Sequence, residues 1–252
     1  MIIIGLGSGR SGTNSFAAMI AKQQNSYSFH EMNPSVMAYK GTVAPVVNTL
    51  REFKAIIEGG DPSYLTVDLS RKPSVADFSK VKVANKVDVL SDAGLYYLQY
   101  VPDMLAENSA VKFVCLQRDR TATIQSFMKK TTLNYGFIEK LLYRCAALIK
   151  RKPYISSSNH FMEHDGRQWA IDRLWDKCFP TFEAASKEEA IGHYYDYYYK
   201  QAHMFALDYP ENVKVYPLEM MNKEEGIKEI LSFCGYKEAE MVIEPAWVNQ
   251  NG

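Results

Sequence analysis

Short runs of apolar residues, bounded by turn-forming residues, recur along the chain and predict β-strands. Longer stretches between them repeat their apolar residues every three to four positions, which predicts helices. Strands that alternate with helices indicate an α/β fold, with a parallel sheet and helices on both faces. The predicted strands are Ile2–Leu6, Tyr27–His30, Tyr64–Leu69, Val87–Leu90, Val111–Leu116 and Val213–Tyr216. The predicted helices are Thr13–Gln23, Thr42–Glu58, Leu95–Glu107, Thr121–Lys130, Lys187–Leu207 and Glu224–Cys234.

Residues 131–190 interrupt this alternation with a loop-like stretch, KRKPYISSSNHF, and a short aromatic helix, WAIDRLWDKCFP. The chain has no internal repeat and no low-complexity linker, so we predict one domain over residues 1–252. In it, residues 131–190 form an irregular helical insertion that covers a ligand site. The run YYDYYYK at 194–200 is interpreted as part of a long helix that shows tyrosines to both core and solvent.

Composition narrows the function classes. The chain has 252 residues, of which 47% are hydrophobic, enough for a well-buried core. Lys and Arg number 29, as do Asp and Glu, so nonspecific nucleic-acid binding is not expected. No stretch has the apolar length of a membrane-spanning helix. The four cysteines are too far apart for a CxxC site and are interpreted as reduced thiols, which predicts a cytoplasmic protein.

The first turn, GLGSGRSGTN, follows a buried strand and fits two known nucleotide-binding patterns in part. Gly7 to Gly12 match G-x-G-x-x-G, and Glu31 follows Gly7 by 24 residues, where a dinucleotide site places its ribose-binding acid. The same glycines fit a Walker A loop, but Thr13-Asn14 stands where Lys-Ser/Thr is required. An ordinary P-loop kinase or motor is therefore disfavoured.

A third interpretation takes Arg10-Ser11-Gly12-Thr13 as the functional unit. Amides at a helix start attract anions, the two hydroxyls donate to anion oxygens, and the arginine adds a forked cation. Such a turn suits a 5′-phosphate that carries a leaving group. A glycine-rich turn without a ligand is the structural alternative.

A second basic position lies in VKFVCLQRDRTATIQSFMKK. A buried strand delivers Arg118 to its carboxyl end, and Ser126 follows eight residues later on the next helix. Ligands bind at that end of parallel strands, so the two side chains are able to share an anion. Alternatively, Arg118 pairs with Asp119 or Asp92, and Ser126 is incidental.

Together, the two stretches resemble the PAPS-dependent sulfotransferase family, of the bacterial, carbohydrate or tyrosine type, which implies its P-loop-NTPase-like fold. The resemblance implies that Arg10 to Thr13, with Gly9 and Asn14, bind the 5′-phosphosulfate of 3′-phosphoadenosine-5′-phosphosulfate (PAPS). Arg118 and Ser126 then correspond to the family's 3′-phosphate pair. DYPENVKVYPLEMMNKEEGIKEILSFCGY resembles the family's last core strand and helix. One departure is Arg10, where cytosolic members usually carry lysine.

The resemblance implies transfer of a sulfuryl group from PAPS to a hydroxyl or amine, without a metal, leaving 3′-phosphoadenosine-5′-phosphate (PAP). Small molecules, sugars, lipids and peptides all remain open as acceptors. Arg10 would stabilise the departing phosphate, and SFHEMNPS supplies Glu31 and His30 as candidate bases. Asp92 is a further candidate, although Ser91 or Asp92 capping the next helix is the simpler interpretation.

Two other functions compete with this one. A Rossmann-type NAD(P) or FAD oxidoreductase would use Gly7, Gly9, Gly12 and Glu31. A catalytically silent nucleotide-binding protein would keep the fold without a working base. The HFMEH cluster at 160–164 lacks the order of a zinc-protease motif and is interpreted as part of a mobile lid.

Overall fold

The computed structural model of the protein describes residues 1–33, 43–69, 71–130 and 184–244, together with residues 138, 141, 142, 145, 149 and 182. Five strands form a parallel sheet in the order β2-β3-β1-β4-β5. They are β1 (Ile2–Leu6), β2 (Ser26–His30), β3 (Val89–Ala93), β4 (Lys112–Gln117) and β5 (Val213–Pro217). The α-helices are α1 (Thr13–Ala21), α2 (Ala44–Ile57), α3 (Lys72–Lys82), α4 (Val101–Glu107), α5 (Arg120–Lys130), α6 (Lys187–Asp208) and α7 (Glu224–Cys234). Short 3₁₀ helices occupy Pro62–Tyr64, Leu95–Tyr100, Leu218–Asn222 and Glu238–Glu240.

The first strand, β1, lies at the centre of the sheet because both of its edges are paired and both of its faces are covered. It pairs with β3 at Ile2↔Leu90 and with β4 at Ile3↔Lys112. Its side chains alternate between two cores: Ile2 lies in one and Ile3 in the other. A strand buried on both faces must be apolar throughout, which explains the opening run of isoleucines.

Helices cover both faces of the sheet. Phe16 and Ile20 of α1 pack with Ile230 of α7 on one face. Phe53 of α2 and Met104 of α4 lie in the core of the other face, with parts of α5 and α6. The predicted α/β class, with a parallel sheet and helices on both faces, is confirmed.

The predicted strand Tyr64–Leu69 is wrong. Asp61 accepts a hydrogen bond from Ser63 N at 2.8 Å and so starts the 3₁₀ helix Pro62–Tyr64. The amide of Thr66 then donates to the Glu52 carboxylate at 2.8 Å instead of to a neighbouring strand. Side chains have taken the hydrogen bonds that a strand would need.

Helix α3 was not predicted because it lacks an apolar stripe. Only Ser74 and Val81 are buried among its eleven residues. Its periodicity is therefore too weak to distinguish from a polar loop.

Strand β3 runs to Ala93, three residues beyond the predicted end at Leu90. Ser91 and Asp92 lie fully buried within it, so their interpretation as helix caps is wrong. A buried carboxylate within a strand is rare, and the apolar pattern gives no sign of it.

The predicted helix Leu95–Glu107 is two elements, a 3₁₀ helix (Leu95–Tyr100) and then α4. Pro102 lies in the first turn of α4. Proline has no N–H, so it fits the first turn of a helix, where that group needs no partner within the helix. It does not donate the hydrogen bond that would continue the preceding 3₁₀ helix.

Much of the predicted insertion, including WAIDRLWDKCFP and the HFMEH cluster, lies outside the described residues, so the domain assignment stays a prediction. In the described ranges, no helix combines the length and apolar character needed to cross a membrane. Cys115, Cys145 and Cys234 are free thiols. The same ranges hold no group of three His, Cys, Asp or Glu residues placed to bind a metal ion.

Candidate functional site

A glycine-rich turn connects the carboxyl end of β1 to the start of α1, which is the arrangement of a P-loop. Gly12, at the N-cap of α1, has a φ of 86°, and a Cβ there would collide with Leu218. Glycine is therefore required on two counts. Its carbonyl accepts the first helical hydrogen bond, from Phe16 N at 3.0 Å. The amides that begin α1 have no acceptor within the helix, which makes this end attractive to an anion.

The structure brings the three polar groups Arg10, Arg118 and Ser126 together, although they are far apart in sequence. Arg10 Nε donates to Ser126 Oγ at 2.9 Å. Arg118 donates to the carbonyl oxygen of Arg10 at 3.1 Å, across 108 residues of sequence. All three belong to segments that meet at the carboxyl edge of the sheet: the β1–α1 turn, the end of β4, and α5.

Among the residues that the structure describes, no carboxylate neutralises the positive charge of Arg10 and Arg118. Burial and the neighbouring Arg118 guanidinium lower the pKa of Arg10. Neither Arg10 nor Arg118 forms an ion pair in the described part of the chain. Asp119 instead accepts from Ala122 N at 2.8 Å, at the start of α5. The pairing of Arg118 with Asp119 or Asp92 that the sequence left open is therefore not found there.

The other predicted loop residues follow Arg10 directly in the chain. Ser11 is fully buried, and its hydroxyl fills the space that a side chain on Gly7 would need. Thr13 Oγ1 lies 3.1 Å from His30 Nε2, so the end of β2 reaches the start of α1. Asn14 is the second residue of α1 and is partly exposed.

Glu31 follows β2 in a left-handed backbone conformation, with a φ of 52°. Its amide donates to Ala93 O at 2.9 Å, and its carboxylate lies 3.1 Å from the Arg71 guanidinium. Three non-glycine residues among those described have a positive φ, and two of them are Arg10 and Glu31. Such conformations cost about 1–3 kcal/mol and concentrate at functional sites.

Asp92 supports the segment that carries Glu31. Both of its carboxylate oxygens lie 3.2 Å from Met32 N, the amide that follows Glu31. Tyr97 donates to it at 2.7 Å and Tyr96 at 3.3 Å. Burial, only partly offset by these three donors, raises the pKa of Asp92 to about 6. A fully buried carboxyl with this many donors has the environment of a structural group, not of a base open to a substrate.

This buried carboxyl predicts a specific pH dependence of stability. The unfolded pKa of aspartate is about 3.9. Between pH 4 and 6, Asp92 thus keeps its proton in the folded chain and loses it in the unfolded one. The folded state binds more protons there, so the free energy of unfolding falls as pH rises. From pH 4.5 to 7.0 the loss attributable to Asp92 is about 2 kcal/mol.

Urea unfolding of the wild type and Asp92→Asn at both pH values measures this loss. Every other carboxylate is common to the two proteins, so only Asp92 contributes to a change in their difference. We expect the free energy of unfolding of Asp92→Asn, taken relative to that of the wild type, to rise by about 2 kcal/mol between pH 4.5 and 7.0. A difference that stays constant with pH would contradict the raised pKa.

Strand order argues against the dinucleotide interpretation. In the classic dinucleotide-binding fold β2 lies beside β1, which brings the acid at its end close to the glycine turn. Here β3 lies between β1 and β2. The Glu31 carboxylate is paired with Arg71 as well.

Two sets of side chains in the site region were missed by sequence reasoning. Arg71, the partner of Glu31, lies two residues beyond the predicted strand Tyr64–Leu69, where the sequence predicted no element. The tyrosines of α6 were interpreted only as part of a long helix that faces both core and solvent, yet four of their hydroxyls bond to the backbone around the site. Their i, i+4 spacing was the one available signal of a shared face.

Comparison of this chain with solved structures finds similar proteins. No protein-family model matches the chain, and no curated protein matches it. A sulfotransferase from Alicyclobacillus acidocaldarius aligns over 97% of this chain and 84% of its own, with 14% identity and a TM-score of 0.48. The sulfotransferase domain from the curacin biosynthetic pathway aligns over 96% and 76%, with 15% identity and a TM-score of 0.41. Both of these neighbours are sulfotransferases.

Proposed function

We propose that the protein is a sulfotransferase that moves a sulfuryl group from PAPS to a hydroxyl or amine acceptor. One observation carries the proposal: two arginines without carboxylate partners in the described chain meet at the start of α1, beside Ser126. A doubly phosphorylated nucleotide offers anionic groups for both. A donor phosphate would compete with Ser126 for the Arg10 guanidinium.

The proposed transfer is an in-line displacement. A bond forms from the acceptor oxygen or nitrogen to sulfur while the bond from sulfur to the 5′-phosphate oxygen breaks. Glu31 takes the acceptor proton, and PAP leaves with the bonding electrons. Arg10 and the amides of Ser11, Gly12 and Thr13 stabilise the negative charge that develops on that phosphate. Arg118 and Ser126 bind the 3′-phosphate.

His30 is the second candidate for the base. Its ring nitrogen Nε2 lies 3.1 Å from Thr13 Oγ1, at the start of α1. Glu31 is favoured because its backbone is held in a strained conformation by both Ala93 and Asp92. Its carboxylate is also oriented by the Arg71 guanidinium, which lies 3.1 Å away.

Calorimetric titration with PAP, AMP and NAD tests the nucleotide site. We expect the wild type to bind PAP more tightly than AMP, since only PAP carries the 3′-phosphate. Arg118→Ala should lose about 10- to 100-fold in PAP affinity, the size of a charge-assisted hydrogen bond, and little in AMP affinity.

Arg51→Ala is the matched control, because Arg51 pairs with Glu107 on the exposed surface. Its nucleotide affinities should equal those of the wild type. Preferential binding of NAD, or equal binding of PAP and AMP, would overturn the proposal. PAP binding without transfer to a broad panel of acceptors would indicate the catalytically silent alternative.

A further inference from the structure

Four tyrosines of α6 form a cluster that we name the tyrosine clamp: Tyr194, Tyr195, Tyr198 and Tyr199. Their exposed fractions are 6% or less, whereas Tyr197 on the same helix is 43% exposed. The helical repeat places the buried four on one side. Apolar packing alone would be served equally well by phenylalanine, so the positions of the hydroxyls are informative.

Two hydroxyls of the clamp hold the glycine turn. Tyr194 donates to Ser8 O at 2.8 Å. Tyr198 accepts from Gly7 N at 3.0 Å and lies 3.2 Å from Leu95 O. The backbone that leads into Arg10 is therefore fixed by a helix almost 200 residues later in the chain.

The other two hydroxyls hold the end of β4. Tyr199 donates to Leu116 O at 2.8 Å and lies 3.2 Å from Ser8 Oγ, which ties this strand to the turn. Tyr195 donates to the carbonyl of Arg118 at 2.6 Å. One helix thus binds the backbone on either side of the site, close to Arg10 and at Arg118.

Helix α5, which carries Ser126, is attached to α6 as well. Arg120 makes two hydrogen bonds to the Asp196 carboxylate, at 2.8 and 2.9 Å. All three segments that supply the proposed donor-binding groups therefore contact the same helix.

Electrostatic repulsion within the site explains why its two arginines need support from the same helix. Arg10 and Arg118 carry like charges, and their repulsion favours separation of the turn from β4 while no anion lies between them. Binding sites gain most when such groups are held in place before the ligand arrives.

We propose that the tyrosine clamp is a set of positioning residues for the donor, which fixes the Arg10 turn and Arg118 at the spacing of the two phosphates. This inference rests on the proposed function. The clamp residues then have different roles. Tyr194 and Tyr198 position the groups that bind the 5′-phosphate, which PAP and AMP share. Tyr195 positions the group that binds the 3′-phosphate, which of the two only PAP carries.

Single Tyr→Phe variants test this division, because they remove a hydroxyl and keep the ring. We expect Tyr198→Phe to lower the affinities for PAP and AMP alike by about fivefold, which corresponds to the loss of one hydrogen bond. Tyr195→Phe should lower the affinity for PAP by about fivefold and change the affinity for AMP by less than twofold. The ratio of the PAP affinity to the AMP affinity therefore falls.

Tyr236→Phe is the control for stability. Its hydroxyl bonds to Ser26 Oγ at 3.0 Å, so the variant also loses one hydrogen bond, but at the amino end of β2, on the opposite edge of the sheet from the site. All variants should lose about 2–4 °C in Tm, and titrations well below Tm compare folded proteins. If Tyr198→Phe does not fold, Tyr194→Phe replaces it, since it leaves a carbonyl unpaired instead of an amide.

Each outcome decides a separate point. Variants whose affinities and PAP-to-AMP ratios match those of Tyr236→Phe would overturn the positioning role while the wild type still prefers PAP. A Tyr195→Phe variant that loses PAP and AMP affinity equally would do the same. A wild type with no preference for PAP would overturn the proposed function itself.

Discussion

Replacing Arg10 by alanine is expected to lower the turnover of PAPS by about 10²- to 10³-fold, and to weaken PAP binding by about tenfold or less. The reason is that negative charge grows on the 5′-phosphate as the bond to sulfur breaks, so a cation beside it stabilises the transition state more than the bound substrate. Turnover should be measured on the best acceptor of a phenol, sugar, amine and lipid panel, and PAP affinity by calorimetry.

Two further variants make this result specific. Arg10→Lys keeps the charge but loses the forked geometry and the bond to Ser126, and should recover part of the activity. Arg51→Ala, on the remote surface, should be fully active. Equal losses of turnover and affinity in Arg10→Ala would show that Arg10 only binds the nucleotide.

Replacing Glu31 by glutamine is expected to lower turnover by about 10²- to 10⁴-fold, the range for loss of a general base. Glutamine keeps the size of the side chain and an oxygen for Arg71, but it does not take the acceptor proton. PAP affinity should stay within about twofold, because the proposed mechanism gives the carboxylate no role in binding the nucleotide.

Variants of the neighbours of Glu31 separate a base from a structural residue. Arg71→Ala removes the ion pair but leaves the carboxylate, so it should retain much more activity than Glu31→Gln. His30→Gln should remain active if Glu31 is the base. A fully active Glu31→Gln together with an inactive His30→Gln would assign the base to His30.

The centre of the sheet was predictable because β1 and β4 are buried on both faces and therefore have nearly uninterrupted apolar sequences. Ile2–Leu6 was predicted without error, and β4, the strand before Arg118, was predicted to within one residue at each end. The extension of β3 through Asp92 was not predictable, since that carboxylate depends on donors from Met32 and from two tyrosines. The strand propensity of a local sequence does not show that hydrogen-bond donors will come from other segments of the chain.

The candidate site, like the sheet, was predictable only in part. The sequence singled out Arg10, Arg118 and Ser126, and the fold places them in contact. The hydroxyls of α6 escaped prediction because a tyrosine in a helix has the same apolar signal whether its oxygen meets water or a backbone amide. Only the tertiary arrangement of the chain distinguishes the two cases.

The bond between Gly7 and Tyr198 spans 191 residues, and this separation has a consequence for biosynthesis. A chain is made from its N-terminus, so the glycine turn leaves the ribosome long before α6 exists. The turn has no support from the clamp until most of the protein has been translated. The proposed donor site is therefore completed late in synthesis, and a nucleotide that needs both arginines would bind finished chains in preference to nascent ones.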